Sequence, residues 1–160
     1  MRLKKTFLSI ATLFSLSAIA QTEPKYPELT ENMKRVDLLI PKIQDPENYR
    51  VEVRFGTEVK ISECENTRGF DFNIKSLKKD FGLPNRYMYY YIGENQPIQI
   101  LTFTESKECN PDKQITKKVL SDQNIFIEHI GTQPTPFFIP KTWTVEYRLW
   151  KVHTDFKTAK

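Results

Sequence analysis

The chain has 160 residues, of which 24 are basic and 20 acidic, for a formal net charge of +4. Arg2, Lys4 and Lys5 precede the apolar run Phe7 to Ala20, which closes on Ala18-Ile19-Ala20, so residues 1–20 read as a secretory signal with a small-residue cleavage site. Without it the balance is 21 cations against 20 anions, which excludes a nucleic-acid partner dependent on a concentrated basic patch. No later apolar run reaches the roughly 18 residues of a membrane-spanning helix, so no membrane partner is expected either. The remainder, residues 21–160, suits a single domain with a hydrophobic core of its own.

In chain order, "YRVEVRFGTEVKI" alternates with period two, placing Tyr49, Val51, Val53 and Phe55 on one face. Gly56-Thr57 offers a turn into a second strand ending near Ile61. "KSLKKDF" is the one short helix candidate, and its lysines read as a solvated face. "RYMYYYIG", "PIQILTFT", "NIFIEHI" and "WTVEYRLWKV" are further aromatic or β-branched runs bounded by Gly, Pro, Asn or Asp. Ten prolines and five glycines between such short strands predict an all-β protein, an antiparallel β-barrel or sandwich. No internal repeat or low-complexity segment interrupts it.

Catalytic motifs are missing. His129 and His153 are the two histidines, and neither lies in a spacing that would supply a metal ligand set or a base for a nucleophile. Phosphate-cradling and nucleophile-elbow patterns are absent too, so an enzyme is not expected, nor a cofactor or a metal. The two cysteines, in an exported chain, favour one disulfide over two thiols. Cys64 and Cys109 would close a loop of 46 residues, worth roughly 4 kcal/mol by chain entropy.

Several segments carry a resemblance. "YPELTENMKRVDLLIP", residues 26–41, resembles the opening of ecotin, the periplasmic serine-protease inhibitor family, and "VEYRLWK", residues 145–151, is similar to that family's C-terminal strand. Cys64 followed by Arg68 matches its Cys-x-x-x-Arg spacing, and "YMYYYI" resembles its tyrosine-rich strand. The likeness implies an inhibitor of serine endopeptidases of the trypsin, chymotrypsin and elastase fold. Thr104, Glu105, Ser106, Lys107 and Glu108 would form the reactive loop, with Cys109 as its anchor and Asn66, Thr67 and Arg68 as its support. An ordinary exposed turn residue is the other reading of Arg68.

Counting back three residues from Cys109, as the family pattern does, puts the scissile bond at Ser106-Lys107. Ser106 suits a small primary pocket; a slip of one residue would present Lys107 to a trypsin-like pocket instead. Glu105, Glu108 and the extra Asn110 depart from the family's loop, and Glu128-His129-Ile130 stand where its second, basic gripping surface would be.

In "WTVEYRLWKVH", Trp143, Val145, Tyr147 and Leu149 share one face while Trp150 and Val152 lie on the other. A central strand buried within one chain fits this pattern. So does the family's exchange of C-terminal strands, in which Val145, Tyr147, Leu149 and Trp150 would join two subunits into a homodimer that holds two proteases. A periplasmic binding or structural module that has kept the fold without inhibiting is the alternative function.

Overall fold

A computed structural model of the chain describes residues 25–84, 87–104, 108–127 and 133–159. It is all-β, with ten strands among the described residues: β1 (Met33–Leu38), β2 (Tyr49–Ser62), β3 (Glu65–Phe72), β4 (Lys78–Gly82), β5 (Tyr87–Tyr91), β6 (Ile98–Thr104), β7 (Gln114–Leu120), β8 (Ile125–Ile127), β9 (Thr135–Pro140) and β10 (Thr144–Lys151). Three sheets result, in the orders β1-β9-β5-β4, β10-β2-β7 with β8 also on β2, and β3-β6. These sheets do not close into a barrel, and β5 runs parallel to β9 where an all-antiparallel fold was expected.

The spine is β2, fourteen residues without a break. The expected turn at Gly56-Thr57 does not form. Gly56 instead pairs with Thr144 on one side and Leu120 on the other, and a Cβ there would stand 2.4 Å from Thr144 Oγ1. The glycine makes room for two flanking strands, and the chain turns only at Glu63-Cys64.

Along β2, Val51, Val53, Phe55, Val59 and Ile61 are buried, as the period of two requires. Phe55 lies between Phe72, Phe137 and Trp143 at centroid distances of 5.6, 6.2 and 5.7 Å, so its ring joins all three sheets. Aromatic contacts of this kind add about 0.5–1.5 kcal/mol each beyond the area they bury.

The expected helix at "KSLKKDF" is a correction too. Asn73 caps a single 3-10 turn, Ile74–Ser76, by accepting from the Lys75 amide at 3.1 Å, and the chain then extends into β4. Pairing with the tyrosine-rich β5 outweighs helical propensity here, leaving the lysines on an outer strand.

Candidate functional site

The sequence draws attention to the segment between β6 and Cys109, and the structure fixes both of its ends on neighbouring residues. On the incoming side β6 pairs with β3, so that Thr104 stands opposite Glu65, Phe103 opposite Asn66 and Thr102 opposite Thr67. On the outgoing side Cys109 is bonded to Cys64, with the two Cα atoms 5.3 Å apart. Thr104 and Glu108 are exposed, whereas Glu105, Ser106 and Lys107 lie outside the described residues. His129 and its neighbours Glu128 and Ile130 lie outside them as well, and His153 is exposed beyond the end of β10.

The three expected support residues sit at the start of β3. Asn66 Oδ1 accepts from the Thr67 amide at 2.9 Å and from Lys117 Nζ at 3.1 Å. Thr67 Oγ1 takes the Gly69 amide at 3.0 Å. Arg68 is the extra residue of a β-bulge, since the register shifts between Thr67 and Gly69, and its side chain is exposed. Gly69 has φ of 144°, and a Cβ there would meet the Leu120 carbonyl at 2.4 Å. Only glycine fits that backbone, and it locks the bulge against β7.

Charged groups around the disulfide go beyond the sequence-based expectations. Glu63 accepts from Lys113 Nζ at 2.6 Å and from the Asn110 amide at 3.4 Å, and its own amide donates to the Lys113 carbonyl at 2.7 Å. The Lys113 ammonium, helped by the Asn110 amide, holds the Glu63 carboxyl below its usual range. Ser62 Oγ donates to the Pro111 carbonyl at 2.9 Å. Glu65 accepts from the Ser62 amide at 3.2 Å and from Thr102 Oγ1 at 3.5 Å. In "SECENTR" these carboxylates flank the cysteine on both sides, the one local signal that could have marked them.

The C-terminal strand is the second region of interest. β10 pairs with β2 along its whole length and, among the described residues, takes no strand on its other side, so within these it is an edge rather than the central strand considered above. Val145 is half-buried, while Tyr147, Leu149 and Trp150 are 43%, 39% and 48% exposed. Trp150 also donates through Nε1 to Glu52, whose side chain is 1% exposed on the outer face of the sheet.

Among the described residues no group of His, Cys, Asp or Glu could hold a metal, and no helix is long and apolar enough to cross a membrane. The fold and site therefore define a disulfide-stapled β protein whose two-stranded ribbon, β3-β6, ends beside the Cys64–Cys109 bridge. A family model for ecotin matches residues 22–152, and the chain belongs to the ecotin family. That family comprises periplasmic inhibitors of serine proteases rather than enzymes. A protein of Methylobacillus flagellatus described as ecotin-like is 22% identical over 136 residues, spanning 84% of this chain and 78% of its own length.

Proposed function

We propose that the protein is exported to the periplasm, loses residues 1–20 and inhibits serine endopeptidases of the trypsin, chymotrypsin and elastase fold. In this reading residues 21–160 form one inhibitor domain and Thr104 to Glu108 enter the protease cleft as a substrate would. The supporting observation is the anchoring of the two ends of this segment on adjacent residues, Thr104 against Glu65 by strand pairing and Cys109 to Cys64 by the disulfide. A segment so tied gives up little freedom on docking, and binding energy is not spent on ordering it. Asn66, Thr67 and Arg68 form the ledge beneath it, with the bulge at Arg68 turning that guanidinium outward.

Two copies would associate through β10, whose exposed edge and the side chains of Tyr147, Leu149 and Trp150 call for cover. Each protease would then meet both subunits, and two proteases would be held per dimer.

Inhibition of trypsin and of an elastase by the oxidised protein lacking residues 1–20 tests this, with Ser106→Ala and Lys107→Ala alongside. With the bond at Ser106-Lys107, elastase inhibition dominates and weakens in Ser106→Ala, by about tenfold for each 1.4 kcal/mol that the serine hydroxyl contributes in the primary pocket. Loss of trypsin inhibition in Lys107→Ala alone moves the register by one residue. Inactivity against the whole panel, chymotrypsin included, selects the non-inhibiting module instead.

A further inference from the structure

We propose that Glu63 is the positioning residue for the outgoing arm of the reactive loop, and that it determines whether a cut loop is resealed; this rests on the inhibitor reading. The two arms are held in different ways. The incoming arm belongs to β6, and its ladder to β3 continues up to the Glu65–Thr104 pair. The outgoing arm has no strand partner until Gln114, opposite Ser62. Between Cys109 and Gln114 it is Glu63 that holds the arm, its amide donating to the Lys113 carbonyl and its carboxylate taking the Asn110 amide and the Lys113 ammonium at once.

What Glu63 holds is itself a closed turn. The Lys113 amide donates to the Asn110 carbonyl at 3.1 Å, and Asn110 Oδ1 accepts from the Asp112 amide at 3.0 Å. Ser62 Oγ reaches the Pro111 carbonyl from the same side. A disulfide alone leaves rotation about its own bonds, whereas three successive residues, Ser62, Glu63 and Cys64, fix the direction in which the chain leaves Cys109.

That direction matters when the protease attacks. Its serine oxygen displaces the loop amine at the scissile carbonyl, giving an ester to the protease and a free amine on the outgoing arm. If the amine stays against the ester it attacks back, re-forming the peptide bond and returning the proton to the serine oxygen. If it drifts away, water attacks instead, and the loop ends as a carboxylate and an ammonium. Glu63 acts on this competition and not on the first docking.

The test uses the disulfide-bonded protein against whichever of trypsin and elastase the parent protein inhibits. In Glu63→Ala the cut loop, read by mass after reduction, accumulates about two- to fivefold faster than in the parent, the range set by an exposed charged hydrogen-bond pair. Glu63→Gln keeps an acceptor for Asn110 and falls between. Binding to a protease whose serine is replaced by alanine stays within about twofold, which a general loss of structure would not allow. Should Glu63→Ala fail to fold, Lys113→Met removes the ion pair alone and is expected to speed cutting in the same direction. Cutting at the parental rate in both the Ala and Met variants overturns the role of Glu63. A parent protein that inhibits no protease of the panel overturns the inhibitor reading, and this role with it.

Discussion

At the scale of single residues, Glu52 is the buried carboxylate among the described residues. Its carboxylate lies on the outer face of β2, covered by Arg148 and Trp150, whose side chains stack with the guanidinium 4.5 Å from the ring centroid. Arg148, Asn124, Trp150 and Arg54 all donate to it, the Asn124 and Arg54 bonds measuring 2.8 and 2.9 Å. Arg148 is the main reason its carboxyl is held far below the usual range; burial pushes the other way and is outweighed. Because the folded state makes this carboxyl the stronger acid, the stabilisation is complete above the pH where an unfolded glutamate titrates and is lost as pH falls toward the folded value. Glu52→Gln is expected to cost about 1–3 kcal/mol at neutral pH. It should also flatten the decline in stability on acidification, a difference read from urea denaturation at several pH values.

At the scale of elements, the ribbon β3-β6 and its disulfide carry the proposed activity, and they can be separated from the core by experiment. Replacing Cys64 and Cys109 by serine is expected to lower stability by roughly 2–4 kcal/mol, measured by denaturant unfolding, and to weaken inhibition further by loosening the outgoing arm. Much of this level was legible in the sequence. Alternation located β2, whose odd-numbered residues face the core, while β5, β6, β8 and β10 were legible as aromatic or β-branched runs between turn residues, and the cysteine count gave the bridge. Gly56 was misread because a glycine that makes room for Thr144 looks, in one dimension, like a glycine that permits a turn. β4 was misread because four of its five residues are exposed, so no buried face printed a period of two. The parallel pairing of β5 with β9 had no local signal: Tyr90 meets Phe137 far along the chain, and periodicity names a face but never a partner. The contacts of Glu63 and Glu65 were hidden likewise, since a glutamate in a turn acquires its partners only from the amides and ammonium that the fold brings to it.

At the scale of the whole molecule, aromatic rings tie three open sheets together, and the sheets leave edges that a closed barrel would not. β10 is an edge that carries exposed Tyr147, Leu149 and Trp150, and a second copy is the cover we propose. Sedimentation at micromolar concentration is expected to give a dimer for the parent and a monomer for Leu149→Arg, which adds a charge to the exposed strand. A monomeric parent would remove the exchanged strand from the picture while leaving the loop mechanism intact. The ribbon itself is rooted by Phe70 and Phe72 in the core and by the bond from the Asp122 amide to the Phe70 carbonyl at 2.8 Å. Its tip, from Thr102 to Thr104 and at Glu108, is exposed. Root and tip therefore have different structural tasks. Substitutions at the tip leave the packing of the core untouched, so under the proposed inhibitor reading a change of a few exposed side chains would redirect the protein to another protease with its architecture unchanged.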